Sequence, residues 1–457
     1  MHLSRLGLGL ACVLTAGPIS AATTPTARHE TAAQTLHRKG VHCMDVIERS
    51  ACAIDNFEAL LDERTTERQL VTDGMLRLIK LYRQSGRAED IKPLLRRFWD
   101  VGMKHESRGH LPYSARFAPS ELSIVASFDV GRVVSAPVMQ RLDPDVRDHV
   151  FTCDEARRRD LSERRRWKKA RARAEKEGRS AHEVVYEELE AERKAEAARA
   201  KREQSPHAKD RQRSAPLFAV AVCPIAEALG HADTTGWTRM TALLDHRDFR
   251  KSVAFAQIAG LDALLAEAER TGKLERIGDQ RWRLPELRHH GEEVHLASLD
   301  LDELTLATPA MLDIVAEARF KNRRKMNREL AKLVDEVPPD TGFFLAMNQA
   351  ALRELGLSGM PAGRRNLLEA LLPKPKGMQF AAVLGNDIAL FTRVPSDNPV
   401  KMRVLASVAQ RMIEGQSEKS ATAERWLRNL DVAEAEDRRA ILAAYLLSGS
   451  DLEKLMK

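Results

Sequence analysis

The phrase Ala118-Pro-Ser-Glu-Leu-Ser-Ile-Val-Ala-Ser-Phe-Asp129 returns, blurred, as Pro338-Pro-Asp-Thr-Gly-Phe-Phe-Leu-Ala-Met-Asn348. With Pro119 set on Pro338 the register needs no gap. Glu121 then meets Asp340, Ile124–Val125 meets Phe343–Phe344, and Asp129 meets Asn348. Each copy reads as a turn, one buried strand, a polar stop and the start of a helix. A chain that repeats this unit is expected to hold two like modules. The fold class it predicts is α+β: a helical N-terminal hairpin domain, then a duplicated, mostly antiparallel sheet-plus-helix body with a long charged helical insertion.

The N-terminus points to export. Arg5 precedes an apolar run from Leu6 to Ala16, followed by Gly17-Pro18 and the small residues Ser20, Ala21 and Ala22. That is the layout of a secretory signal peptide over residues 1–22, and the run is too short for a spanning helix, which needs about 20 apolar residues. A lipidated Cys12 is the less favoured alternative, because Gly9 sits where such a signal usually carries Leu. Four cysteines follow the signal: Cys43, Cys52, Cys153 and Cys223. An even count in an exported chain predicts two disulfides, and local pairing is the simplest of the three connectivities. No Cys-x-x-Cys pair exists, which argues against a zinc knuckle. The expected location is periplasmic or secreted.

Pattern divides the rest. Residues 23–40 read as a leader without periodicity, and 41–110 as helical. Leu78, Leu81 and Tyr82 share one helix face, Gly86 makes a turn, and Ile91, Leu94, Leu95 and Phe98 answer from a second helix. That hairpin resembles one tetratricopeptide unit, although such arrays need about three repeats to stand alone. The first α+β module spans 111–335, with the charged insertion at 154–213, and the second spans 336–416. Strands are predicted at 122–128, 217–222, 252–258, 281–284, 293–299, 303–307, 342–347, 378–384 and 388–394. The last two are joined by Gly385-Asn386-Asp387, whose residues tolerate positive φ. Helices are predicted at 133–142, 261–270, 309–334 (broken near Phe320–Arg324), 349–355, 363–372 and 400–413. Two more, at 421–430 and 433–447, are expected to close the chain over 417–457.

Pro-x-acid plus strand, the Leu261–Ala268 helix Leu-Asp-Ala-Leu-Leu-Ala-Glu-Ala, and the strand pair within His295–Thr308 resemble a family of exported, myxobacterial-type bacterial proteins of unknown function with tandem α+β modules. The resemblance covers roughly residues 111–416. It implies a fold and a compartment and carries over no catalytic residue. The charged insertion is a departure from the family pattern.

Of the net charge of +7, six units sit in residues 154–213, which hold 20 Lys+Arg against 14 Asp+Glu. Residues 154–179 carry 12 basic and 6 acidic groups, and 180–203 carry 5 and 7. Gly178 splits them, and Ser180-Ala-His-Glu183 is a capping box opening the second half. Two oppositely biased helices predict an antiparallel hairpin or a solvated arm. The pairs Asp160–Arg164, Glu175–Arg179 and Glu190–Lys194 stand at i,i+4. If the arm binds a polyanion, its contacts are Arg164, Arg165, Arg166, Lys168, Lys169, Arg171 and Arg173. Only Trp167 and Tyr186 are aromatic there, so it offers no stacking platform.

Chemical motifs are sparse. His289-His290-Gly-Glu292-Glu293-Val-His295 has ligand-type residues, but adjacent histidines on an extended segment face opposite ways. Asp245-His246-Arg247-Asp248 echoes a kinase loop, yet Val253 stands where Asn is needed and no glycine-rich loop precedes it. Gly356-Leu-Ser358-Gly359 lacks the spacing of a nucleophile elbow. Asp129, Asp300 and Asp302 could converge as paired acids at one sheet end, although an Asp after a strand is ordinarily a turn or cap. No catalytic residue, metal site or cofactor is predicted. The expected role is non-enzymatic binding or scaffolding in the envelope, with a partner such as an envelope protein or an anionic polymer. An envelope hydrolase is the alternative.

Overall fold

The computed structural model describes residues 30–457, apart from 64–66, 88, 92, 95–96, 98–110, 143, 204–216, 232, 339–340, 358–374, 386, 405, 408–410, 412–429, 436–439, 448, 450–451 and 453–457. The signal, residues 23–29 of the leader, Asp340, the helix expected at 363–372 and all but the last residue of the one expected at 421–430 lie outside these residues. The rest of the expected leader is corrected: from Ala32 onward it is helical, the first turns of the helix Ala32–Asp45, and Leu430 belongs to a strand.

Three helices open the chain: α1 (Ala32–Asp45), α2 (Ser50–Asp62) and α3 (Arg68–Gln84). Thr31 and Gln34 form a reciprocal capping box on α1. Phe57 is fully buried against Gly40, where an added Cβ would stand 2.7 Å from the ring. Leu78, Leu81, Tyr82, Ile91 and Leu94 are buried together, as their spacing predicts. Cys43 and Cys52 are disulfide-bonded across the α1–α2 turn, with Cα atoms 5.7 Å apart.

The body is one twelve-stranded sheet, ordered β11-β12-β10-β9-β8-β1-β2-β3-β7-β6-β5-β4. Its strands are β1 (Ile124–Asp129), β2 (Trp237–Leu244), β3 (Ser252–Ile258), β4 (Glu275–Gly278), β5 (Arg281–His289), β6 (Glu292–Asp300), β7 (Glu303–Ala307), β8 (Thr341–Asn348), β9 (Gly377–Leu384), β10 (Ile388–Pro395), β11 (Leu430–Glu434) and β12 (Ala440–Leu447). Every neighbouring pair is antiparallel.

The repeat meets itself at the centre. Ala126 lies opposite Leu345 in the β1–β8 register, and each stands seven residues beyond its own module's proline, Pro119 or Pro338. A local two-fold therefore passes through that pair. Outward from it the halves run in parallel: β1, β2, β3, β7, β6 on one side and β8, β9, β10, β12, β11 on the other. The polar stops are equivalent too. Asp129 caps α4 (Val130–Ser135) by accepting from Arg132 N at 2.9 Å, and Asn348 caps α13 (Gln349–Leu357) by accepting from Ala351 N at 3.1 Å.

Between these caps the chain forms α5 (Pro137–Gln140), α6 (Pro144–Phe151), α7 (Glu155–Glu177), α8 (Ala181–Glu203), α9 (Leu217–Ala228), α10 (Leu261–Arg270), α11 (Pro309–Phe320) and α12 (Arg328–Asp335). Alternate strand residues bury opposite faces of the sheet. Val125, Leu243, Phe255 and Phe344 join the core of α1–α3, α11 and α12, while Met240, Ala254 and Ala256 join that of α4, α9 and α10.

Further expectations are corrected. Residues 217–222 are not a strand but the start of α9, whose buried Leu217, Ala221 and Ile225 recur every four residues. Its place in the sheet is taken by β2, which the pattern did not suggest. Residues 433–447 are not a closing helix, because β11 and β12 occupy 430–434 and 440–447 and extend the second module past residue 416. Helix 133–142 is also divided, at Ala136-Pro137.

Candidate functional site

Helix α3 sends Asp73, Arg77 and Lys80 from one face, at i, i+4 and i+7. His37 on α1 places Nε2 2.7 Å from Asp73 Oδ2. Arg77 donates to the same oxygen from Nε at 2.6 Å and to Asp45 Oδ2 from Nη1 at 3.3 Å. Burial pushes the Asp73 carboxyl up, but the His37 hydrogen bond and the Arg77 charge together hold it below the usual aspartate value. Asp73 is thus a fixed anion.

Around it lie two joined cavities. One, of about 300 Å³, is bounded by Met44, Asp45, Arg77, Lys80, Arg141 and Asp387. The second, of about 290 Å³, runs on past Arg132, Pro137, Val383 and Leu384. Asp73 and Leu76 line both. The groove therefore separates the helical domain from the second module's β9–β10 turn and from α4–α5. Two hydrogen bonds from backbone N–H groups shape that wall: Val138 N donates to Gly385 O at 2.9 Å, and Gly449 N donates to the Asp387 carboxylate Oδ1 at 2.9 Å. Asp45 and Asp73 already hold Arg77, whereas Lys80 has no ion pair among the described residues. The first cavity is lined mainly by charged side chains with Met44 and Leu76 as its apolar part, while the second is more apolar, with Pro137, Val383 and Leu384 on its wall. Clefts of a few hundred Å³ are a common form of ligand seat.

The sequence reading missed this groove. Its one signal was Asp73, Arg77 and Lys80 breaking an apolar helix at helical spacing.

The residues the sequence did single out are placed elsewhere. His290 and Gly291 form the two-residue β5–β6 turn with φ of 53° and 85°. That turn brings the His289 and His290 rings to 4.2 Å between centroids, so they do not diverge as extended neighbours would. Among the described residues no three ligand-type side chains converge on a metal-sized point. Asp129, besides capping α4, pairs with Arg239 at 3.0 Å. Asp302 accepts from Gly260 N at 2.9 Å at the start of α10, and Asp300 from Arg319 at 3.4 Å. Asp129 and Asp302 share a sheet edge three strands apart, about 14 Å at the usual strand spacing, which is too far for paired-acid chemistry.

His246 gives a constellation no motif suggested. Its Nδ1 lies 2.7 Å from Ser123 Oγ and its Nε2 3.0 Å from Glu354 Oε2. Ser123 is only 2% exposed, and its Oγ also accepts from His246 N at 3.1 Å. A hydroxyl so enclosed is shut off from a substrate. The trio ties the β2–β3 loop to the first copy of the repeat through Ser123 and to α13, which follows the second, through Glu354.

In the insertion, Gly178 ends α7 in the left-handed conformation, and α8 returns against it over a seam of Ala170, Ala174, Val184 and Val185. Asp160–Arg164 and Glu190–Lys194 pair at 2.6 and 3.8 Å. Arg179 reaches Glu187 and Glu177 where Glu175 was expected. Glu183 Oε2 accepts from Ser180 N as the capping box predicts. Cys153 and Cys223 are disulfide-bonded at the base, Cα atoms 4.9 Å apart.

No family model matches the chain, and no curated protein is significantly similar to it. Among solved structures, crystal form I of TP0453 aligns over 52% of this chain and 90% of its own, at 10% identity and a TM-score of 0.27.

Proposed function

We propose that this is a non-enzymatic, exported binding protein of the cell envelope. We place its ligand seat in the groove between α3 and the β9–β10 turn. The observation that carries the reading is the convergence of two cavities on Asp73 and Leu76. Export is supported by the N-terminal signal pattern. The two disulfides and the lack, among the described residues, of any helix long and apolar enough to cross a membrane are compatible with a periplasmic or extracellular location. The likeness to exported tandem-module bacterial proteins belongs to the same proposal.

The lining indicates the ligand chemistry. Arg77 is held by Asp45 and Asp73, and Asp387 accepts from Gly449 N, so Lys80 is the lining cation without an ion pair among the described residues, set beside Met44 and Leu76. A carboxylate on an apolar stem, such as a peptide C-terminus or a fatty acid, matches that lining. Catalysis is less well supported, because the groove's central acid is held ionised and a general acid needs its pKa raised.

Isothermal titration with short C-terminal peptides and medium-chain fatty acids tests the proposal. We expect saturable binding that drops about tenfold or more in Lys80→Glu, as loss of a charge-assisted contact predicts. No binding at millimolar concentration, or equal binding by the variant, would refute it.

A further inference from the structure

Helix α7 carries a second feature, independent of the groove. From Arg164 to Arg171 it has six cations and no acid. At 100° per residue, Arg164, Arg165, Lys168, Lys169 and Arg171 fall within an arc of about 160°. Trp167, Ala170 and Ala174 lie roughly opposite, and they pack on α8. The cations therefore line the outside of the arm. Arg164, Lys168, Lys169 and Arg171 are exposed, and Lys169 and Arg171 have no acidic partner among the described residues. Glu163 and Asp160 border the stripe at one end, where Asp160 pairs with Arg164 at 2.6 Å, and Glu175 stands beyond the other.

The arm is firmly rooted. Asp154 caps α7 through Arg157 N at 3.0 Å, Arg158 donates to Thr152 O at 2.7 Å, and the Cys153–Cys223 bond closes the base. At its far end Arg179 clamps Glu187 at 2.5 Å. Twenty-three residues of α7 make a straight rod about 34 Å long.

We infer that this outer face docks on an anionic lipid surface. The complementarity is between a rigid row of cations and a plane of phosphate headgroups. Nucleic acid fits less well: the stripe's one aromatic ring, Trp167, is partly buried and packs edge-to-face on His182 with centroids 4.7 Å apart, which is a poor platform for stacking bases. The stripe contains no exposed apolar residue, so the contact is electrostatic and superficial, without insertion.

Cosedimentation of the full chain with vesicles tests the inference, using pure phosphatidylcholine or the same lipid with 30% phosphatidylglycerol. Binding is expected only to the anionic vesicles and should fall steeply between 50 and 300 mM NaCl. Each cation near such a surface contributes roughly fivefold in partitioning. The Lys168→Gln/Lys169→Gln/Arg171→Gln variant should then bind about a hundredfold more weakly. Gln keeps helix propensity, and an unchanged circular dichroism spectrum verifies the fold. Equal binding to neutral vesicles, an unaffected variant, or retention on heparin or single-stranded DNA without vesicle binding would each overturn it.

Discussion

Exchanging the Cys153–Cys223 bond for two serines should cost stability in proportion to the chain it closes. The two cysteines are 70 residues apart, and the arm supplies most of that loop. Chain-entropy reasoning gives the closure about 4.4 kcal/mol at 25 °C. If residues 154–213 are replaced by a six-residue Gly/Ser linker, the loop shrinks to 16 residues and the same bond is worth about 3.1 kcal/mol. The arm's presence should therefore raise the cost of Cys153→Ser/Cys223→Ser by about 1.3 kcal/mol. Equilibrium urea unfolding of the four proteins, followed by circular dichroism with the Cys43–Cys52 bond kept intact, measures this difference. Equal losses with and without the arm would refute the reasoning. The bond would then act by holding α9 in place.

Three further outcomes follow from the fold. Asn348→Ala should cost about 1 kcal/mol through its lost cap, and Asp129→Ala should cost more, since Arg239 also loses its partner; urea midpoints rank the two. Gly40→Ala should destabilise the helical domain by about 1–3 kcal/mol because the methyl meets the Phe57 ring, read as a lower melting temperature. Asp73 titrates lower in the fold than its ordinary 3.8, so it stabilises the protein above that pH, and the benefit fades as pH falls through the folded value. The stability gap between wild type and Asp73→Asn should accordingly be open at pH 6 and narrow below about pH 4.

The modular plan was legible because a repeated phrase constrains two places at once. Strands 252–258 and 303–307 and helix 261–270 were found at their bounds, as clean alternation and helical spacing allow. Leu217–Val222 misled because six consecutive apolar residues have no resolvable period. The four-residue spacing emerges only when Ile225 and Leu229 are included, beyond a proline that argues against helix. Ala440–Leu447 misled for another reason. Its alanines favour helix, but β10 and β11 hold it on both sides, and pairing overrides propensity. The duplication contained the remedy: β3 is followed by a helix and the β6–β7 hairpin, so the second module needed a hairpin after its own helix. The groove stayed hidden because its walls come from residues 44–80, 132–141, 342 and 383–387, which no local pattern connects.

The central β1–β8 pair has a consequence for how such a chain can be divided. Each module presents to the other the edge it would otherwise expose, so the join is built like the interface of a symmetric dimer with the linker added. A lone copy would carry an open strand edge with its complement already encoded in itself. The two halves, made as separate polypeptides, should recognise one another through Ala126 and Leu345, and either half alone should form pairs of its own kind.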